Sequence, residues 1–191
     1  MLYIVGCSYS AEYYWPSLVN LEHFNYSEPG AGNKYIYACV QQIPLTPADS
    51  IVVQFSEVER IDLLLDKQSS FNKILEDVPS IRKRELAECI AWCTAGPRGA
   101  WNNNPVGKRY LAPLMREYYS DFNQQLESDA WKTQTYDIVD LSGARSLFLD
   151  LYMMSAWAQE NDMVDADGFH LSSAGNDLYY KTYIKDFVDA C

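Results

Sequence analysis

Apolar residues along the chain follow two patterns, short unbroken runs and longer runs with helical spacing. Leu2–Val5 and Ser50–Phe55 are nearly continuous apolar runs, which is typical of strands buried on both faces in a parallel sheet. A weaker strand is predicted over Phe24–Ser27, and Lys34–Ile43 has the three-and-four spacing of an amphipathic helix. Strands that alternate with helices in this way predict a parallel sheet covered by helices.

The second half of the chain is predicted to be mainly helical. Apolar spacing predicts a helical region over Ser70–Ala95 and a long amphipathic helix over Arg109–Trp131. The last strand is predicted over Thr135–Leu141, followed by helices over Ala144–Ala158 and Ala174–Val188. We therefore expect an α/β fold in which helices surround a mostly parallel sheet of about five strands.

The length of the chain and its lack of an evident linker predict one domain. It has 191 residues and no internal repeat or evident linker, which favours a single domain over 1–191. The clearest loop is Gly96–Pro105, which is rich in glycine, proline and asparagine and carries Trp101 near its centre. Trp101 and the asparagines at 102–104 are candidates for the rim or lid of a site, and an ordinary surface loop is the alternative.

Charge and composition restrict the partners and the compartment. The net charge of −11 argues against nucleic acids and anionic membranes as partners, because both would repel the chain. Met1 leads straight into the first strand without a basic leader, and no apolar run approaches transmembrane length. The five cysteines are odd in number and sparse, which favours free thiols in a reducing compartment. These features predict a cytoplasmic protein.

No metal centre is predicted from the spacing of ligating residues. Cys89 and Cys93 are four residues apart, but no nearby histidine or cysteine supplies the two further ligands. Asp162, Asp165 and Asp167 lack the glycine and the distal glutamate of a calcium loop. We expect neither a metal nor an organic cofactor.

Two short segments at opposite ends of the chain carry the candidate chemistry. Gly6-Cys7-Ser8 places a serine on a tight turn directly after the first strand, and Asp167 stands three residues before His170. A histidine can remove the proton of a serine hydroxyl, and a carboxylate on its other ring nitrogen fixes the tautomer that does so. We therefore predict a catalytic triad of Ser8, His170 and Asp167.

Three other residues compete for these roles. Ser10 is a second hydroxyl after the same strand, but we expect it to cap the next helix. His23 is the only other histidine, and it lacks an equivalent carboxylate pattern. Asp165 is an alternative partner for the ring of His170, two residues before Asp167.

These segments, with a third between them, resemble the sequence blocks of the SGNH/GDSL hydrolase family. Gly6-Cys7-Ser8 resembles the first block, with Cys7 where the family usually has aspartate. Asp167–His170 resembles the last block, and Leu171–Gly175 resembles the family's entry into its final helix. Pro29-Gly30-Ala31 resembles the block whose glycine N–H contributes to the oxyanion hole. The resemblance implies a flavodoxin-like three-layer α/β/α sandwich and a serine ester hydrolase without a cofactor.

One block departs from the family pattern. The third block supplies an asparagine whose side chain donates to the oxyanion, but here Val58 stands at that position and cannot donate. Removing one oxyanion donor typically costs about 10²–10³ in rate. The candidate replacements for the missing donor are Ser56, Gln54 and Asn33. For Asn33 the alternative is a structural role as the cap of the next helix.

The leading hypothesis is a serine esterase that hydrolyses an acyl or acetyl ester of a small molecule or a carbohydrate. Val58 and Cys7 motivate an alternative, a catalytically silent domain that binds glycans or serves as a phage structural or accessory part. A lipid or thioester hydrolase is a third hypothesis. A deep apolar tunnel would favour acyl chains, whereas a shallow groove with aromatic residues at its rim would favour sugars. The motifs also resemble a divergent branch of phage and bacterial proteins. A phage-encoded or virion-associated protein is therefore an alternative to a cytoplasmic one.

Overall fold

The computed structural model describes residues 1–11, 14–58, 60, 62–78, 81–94, 105, 109, 121–168 and 170–191. The strands are β1 (Leu2–Val5), β2 (His23–Asn25), β3 (Ser50–Phe55), β4 (Asp62–Asp66), β5 (Ile81–Glu85), β6 (Cys89–Thr94) and β7 (Arg145–Asp150). The α-helices are α1 (Asn33–Gln42), α2 (Phe71–Leu75), α3 (Asp121–Ser142), α4 (Leu151–Glu160), α5 (Ser173–Tyr179) and α6 (Lys185–Asp189). Two short 3-10 helices cover Ser8–Ser10 and Trp15–Leu18, and a π-helical segment covers Tyr180–Ile184.

Four of these strands form a parallel sheet in the order β2-β1-β3-β7. β3 is buried along its whole length, and Tyr3 is the one residue of β1 that is only partly buried. Burial on both faces explains the continuous apolar runs of these two interior strands. Because all four strands run in the same direction, their carboxyl ends meet at one edge of the sheet.

The other three strands form an antiparallel sheet in the order β4-β6-β5. Successive side chains of β6 point to opposite faces. Ala91 and Cys93 pack into the main core, whereas Ile90 and Trp92 pack into a separate small cluster. The indole N–H of Trp92 donates a hydrogen bond of 2.9 Å to Asn72 Oδ1, which ties α2 to this sheet.

The predicted α/β class is confirmed, with a parallel sheet of four strands and a separate antiparallel sheet of three strands in the described residues. The prediction of a helical region over Ser70–Ala95 is wrong beyond α2. Ile81, Ile90 and Trp92 alternate onto the small cluster from a strand pair, so the segment has a period of two rather than a helical period. β4 is a further strand that the apolar pattern does not predict.

Two predictions for the segment that follows are wrong. Thr135–Leu141 is the last part of α3 and not a strand, because its buried side chains continue a series with intervals of four and seven residues. These side chains are Gln124, Ser128, Thr135 and Val139. Ala144–Ala158 is divided between β7 and α4 rather than forming one helix. The division falls at Asp150, whose carboxylate accepts a hydrogen bond of 2.8 Å from the N–H of Tyr152 and caps α4.

The remaining elements agree with the sequence. β1 and β3 have their predicted bounds, and the weak strand predicted over Phe24–Ser27 corresponds to β2. α1 confirms the helix predicted over Lys34–Ile43, and α5, the π-helical segment and α6 confirm the one over Ala174–Val188. Residues 96–104 of the predicted loop, with Trp101, and most of residues 109–120 of the predicted helix lie outside the described residues. None of the described helices combines the length and hydrophobicity needed to span a bilayer.

The turn after β1 is closed tightly around Gly6. A Cβ atom at this position would overlap Ser10 Oγ and would lie 2.9 Å from Gln54 Cβ. Ser10 can rotate its hydroxyl away, but Gln54 Cβ is fixed to the backbone of β3. Only glycine therefore fits where β1 passes into the short helix that begins at Ser8.

We expect Gly6→Ala to lower the free energy of unfolding by about 1–3 kcal/mol, because the added methyl group overpacks a closed turn. Urea denaturation of the variant and the wild type measures this difference. Adding Ser10→Ala to Gly6→Ala should recover only part of the loss, since the contact with Gln54 remains. A Gly6→Ala protein as stable as the wild type would contradict the packing argument.

Candidate active site

The segments that follow β1, β2 and β3 come together at the carboxyl edge of the parallel sheet. Ser8 lies three residues after the end of β1, Gly30 lies five residues after β2, and Ser56 follows β3 directly. The N–H of Glu28 donates a hydrogen bond of 3.1 Å to the carbonyl oxygen of Gly6, which joins the first two segments. This edge is where open α/β sheets place their ligand sites.

Ser8 is the hydroxyl best placed for chemistry in this turn. It begins the short helix Ser8–Ser10, it is 6% exposed, and its Oγ accepts a long hydrogen bond of 3.5 Å from Arg60 Nη1. Ser10 is fully buried, and its Oγ donates to the carbonyl oxygen of Cys7 at 3.3 Å. The expectation that Ser10 caps the next helix is wrong, because Ser10 belongs to the short helix itself and that next helix has no side-chain cap.

Asp167 holds His170 through two hydrogen bonds. Its Oδ1 accepts from the backbone N–H of His170 at 2.9 Å, and its Oδ2 lies 2.5 Å from His170 Nδ1. Gly168 makes this close turn with a φ of +77°, a region that glycine enters without strain. With a proton on Nδ1 facing the carboxylate, Nε2 is the ring nitrogen that can accept a proton from a hydroxyl.

The competing residues are placed differently. Asp165 Oδ1 accepts a hydrogen bond of 2.7 Å from the N–H of Ala166, so its carboxylate supports the turn. His23 is paired in register with Leu2, the first residue of β1, so it lies at the opposite edge of the sheet from Ser8. Within the described ranges, no group of three or more His, Cys, Asp or Glu side chains is arranged to hold a metal ion.

The ring of His170 packs against the segment that carries Ser8. Its centroid lies 4.8 Å from the ring of Tyr9 and 5.4 Å from the ring of Tyr14, which is stacked on it. The two ends of the chain therefore meet at one place, although no direct hydrogen bond joins Ser8 Oγ to His170 in the described residues. Catalytic hydrogen bonds in ligand-free enzymes are often long and tighten only when substrate binds.

Two of the residues considered as replacements for the oxyanion asparagine already use their amide groups in contacts with other residues. Asn33 Nδ2 donates to the carbonyl oxygen of Ser56 at 3.0 Å and to Ser128 Oγ at 2.7 Å, which uses both of its donor hydrogens. Asn33 is also the first residue of α1, and Gly32 occupies the capping position instead. Gln54 is fully buried within β3, and its Nε2 contacts Met154 Sδ at 3.5 Å. Neither side chain has the freedom expected of an oxyanion donor.

Gly30 and Ser56 are the two other residues predicted for the oxyanion hole. Gly30 has a φ of +85°, which explains the glycine in this turn. Ser56 is 2% exposed, and its Oγ is buried with no hydrogen-bond partner among the described residues. A buried hydroxyl without a partner is uncommon, so Ser56 is available to a bound group.

An open groove of about 650 Å³ adjoins Ser56. Val58 lines it, together with the side chains of Tyr152 and Met153 at the start of α4, which are 76% and 67% exposed. Lys132 Nζ and Asp150 Oδ2 form an ion pair of 2.9 Å in its wall. The described lining thus combines an exposed aromatic ring, apolar side chains and charged groups.

Arg60 is a site residue that the sequence did not single out. Its side chain is only 10% exposed, and it reaches from the segment after β3 to Ser8 Oγ. Its Nε lies 3.6 Å from Glu57 Oε2. No spacing rule indicates that an arginine two residues after Val58 contacts Ser8, so only the folded arrangement identifies Arg60.

Asp62 anchors the segment that follows Arg60. Its Oδ1 and Oδ2 accept hydrogen bonds of 2.9 Å and 2.7 Å from the N–H groups of Gly32 and Tyr35, at the start of α1. Complete burial raises the pKa of this carboxyl group to about 6, although the hydrogen bonds oppose the shift. Asp62 therefore stabilises the N-terminus of α1 from a neighbouring strand, as a capping side chain does.

The chain was compared with protein-family models and with curated proteins. The chain matches no protein-family model and no curated protein. The resemblance to the SGNH/GDSL family therefore rests on the sequence blocks alone and stays a prediction.

We expect Asp62→Asn to change the pH dependence of stability. Its pKa is raised from 3.8 to about 6 in the folded state, so the folded protein binds the proton more tightly than the unfolded chain. The wild type should therefore lose about 2 kcal/mol relative to the variant as pH rises from 4 to 7. Denaturant unfolding of both proteins across this pH range measures the difference. A constant difference would show that Asp62 does not titrate in this window.

Proposed function

We propose that the protein is a serine ester hydrolase of the SGNH/GDSL type, with Ser8 as nucleophile, His170 as general base and Asp167 as the residue that orients His170. The observation that carries this proposal is the Asp167–His170 pair, with Nδ1 and Oδ2 2.5 Å apart, packed against Tyr9 next to Ser8. Residues distant in sequence thus meet at the edge where such sheets place active sites. The parallel sheet would be the centre of the family's three-layer sandwich.

The proposed reaction proceeds through an acyl-enzyme. Ser8 Oγ attacks the ester carbonyl carbon while His170 Nε2 takes the hydroxyl proton, and the carbonyl π electrons move onto the oxygen. The adduct collapses when the ester C–O bond breaks and His170 returns the proton to the leaving alcohol. Water then attacks the acyl carbon with His170 as base, and the carboxylic acid leaves Ser8. Asp167 stabilises the imidazolium in both steps.

The groove beside Ser56 favours an ester carried on a carbohydrate. It is open rather than a deep apolar tunnel, and the ring of Tyr152 is exposed at its wall. Sugars stack their apolar faces on aromatic rings and satisfy their hydroxyl groups with charged and amide side chains. Lys132, Asp150 and Gln125 supply such groups in the same lining. An acetyl or short acyl ester on a sugar fits this combination.

We expect a fluorophosphonate probe to form an adduct on Ser8, because an activated serine attacks phosphorus as it attacks an ester carbonyl. Peptide mass spectrometry of the labelled protein locates the adduct. Ser8→Ala should abolish it, and His170→Ala should slow it by orders of magnitude. His23→Ala is the matched control, because His23 lies at the opposite edge of the sheet.

A folded wild-type protein without an adduct would overturn the esterase proposal. It would favour the alternative of a catalytically silent domain that binds glycans or serves as a phage accessory part. Circular dichroism and a cooperative unfolding transition establish that the protein is folded. Glycan-array binding then tests the alternative directly.

Asp167→Asn should lower kcat by up to about 10⁴, because an amide at this position favours the wrong tautomer of His170. Hydrolysis of a chromogenic acetyl ester measures the effect. Asp165→Asn is the matched control, since its Oδ1 accepts a hydrogen bond from the local backbone N–H of Ala166. Equal losses in the two variants would show that Asp167 acts on the turn and not on the histidine.

A further inference from the structure

We propose that Arg60 is the side chain that stabilises the oxyanion during ester hydrolysis at Ser8, in place of the asparagine for which Val58 stands. This inference rests on the proposed function and adds a catalytic residue to it. It also assigns a role to a buried guanidinium group that the predicted triad does not use.

The position of Arg60 brings its guanidinium group to the nucleophile. Nη1 lies 3.5 Å from Ser8 Oγ, and the side chain is nine-tenths buried. Arg60 donates in this contact, so it does not compete for the hydroxyl proton that His170 must remove. The backbone of Arg60 itself also lies close to the backbone of Gly32. A Cβ atom on Gly32 would lie 2.5 Å from the carbonyl oxygen of Arg60.

The guanidinium group keeps donors for a further anion. Its ion pair within the described residues is with Glu57, where Nε and Oε2 are 3.6 Å apart and the carboxylate side chain is 49% exposed. Because Glu57 is half exposed to solvent and the two atoms are 3.6 Å apart, this pair is weak. Arg60 Nε is buried and has no hydrogen-bond partner in the described part of the chain. An arginine carries five N–H donors and stays charged, so this group is a binding site for negative charge.

The oxyanion forms within reach of these donors. In the tetrahedral adduct, the oxyanion and Ser8 Oγ are bonded to the same carbon, so the new charge lies next to Oγ. A donor must lie about 2.7–3.1 Å from the oxyanion, and Nη1, at 3.5 Å from Oγ, can satisfy that distance. The N–H groups of Ser8 and Gly30 and the hydroxyl of Ser56 would complete the site.

Arg60 is favoured over the other side-chain candidates by its freedom and its charge. Asn33 has both donor hydrogens committed, and Gln54 contacts Met154 inside the core. Ser56 has a hydroxyl without a partner among the described residues, but a neutral donor offsets a full negative charge less well than a cation does. A low-dielectric site increases this advantage.

The test compares Arg60→Ala and Arg60→Lys with the wild type and with Arg145→Ala. Arg145 is an exposed arginine at the amino end of β7, so it controls for the loss of one positive charge away from the site. The measurements are the rate of Ser8 labelling by a fluorophosphonate, and kcat and KM for a neutral acetyl ester. Thermal unfolding of each variant monitors the fold.

We expect Arg60→Ala to lower the labelling rate and kcat by about 10²–10³ with little change in KM, because an oxyanion donor acts only in the transition state. Added guanidinium ion at millimolar concentration should restore part of the activity, and Arg60→Lys should retain more than Arg60→Ala. Arg145→Ala should match the wild type. Rescue by guanidinium is a response that a purely structural arginine would not give.

The outcomes separate this inference from the proposed function. If Ser8 of the folded wild type is not labelled, both fail together. If Ser8 is labelled and Arg60→Ala reacts at the wild-type rate, the triad stands and the role of Arg60 is overturned. If Arg60→Ala is slow but neither guanidinium nor lysine restores activity, Arg60 is structural and the inference is again overturned.

Discussion

Parallel pairing of β1 with its two neighbours is the constraint on which the rest of the site depends. β1 pairs with β3 from Leu2 opposite Ser50 to Val5 opposite Val53, and with β2 along its other side. Because the strands share one direction, the segments that leave them must start at one edge, whatever their sequences. Ser8 and Ser56 therefore follow adjacent strands at the same edge, although 47 residues lie between them in the chain. A slip of one residue would move every buried side chain of β1 to the other face.

Buried hydrogen bonds hold the start of α1 against the end of β3 and the start of β4 at this edge. Asn33 binds both the N–H and the carbonyl oxygen of Ser56, so the start of α1 is joined to the end of β3. Asp62 binds two N–H groups at the same end of α1 from the strand on its other side. An unpaired polar group in such a place costs more than a formed hydrogen bond contributes. Both contacts flank Arg60 in the sequence and favour one position for its backbone.

Sequence patterns predicted the parallel part of this fold well and the antiparallel part poorly, and the reason lies in burial. β3 faces apolar surroundings on both sides, so its run Ile51–Phe55 reads as a strand without further information. In β6, Ile90 and Trp92 pack into the small separate cluster, whereas Ala91 and Cys93 pack into the main core. Such a two-sided apolar strand resembles a buried helix when only the apolar positions are counted. The positions of Ser8, Asp167 and His170 follow from local motifs, whereas Arg60 depends on how a segment folds back.

The electrostatics of the site are local, and this decides which charges count in the proposed reaction. The whole chain carries a net charge of −11, a field that opposes the formation of an oxyanion. Charges beyond about 8 Å in physiological salt are largely screened at the surface, so groups within a few ångströms of Ser8 dominate. Arg60 is buried there, whereas Glu57 is half exposed and well solvated. Screening weakens the carboxylate more than the guanidinium group. In the proposed reaction, a protein that is acidic overall would thus present a positive group to the oxygen atom that becomes negative.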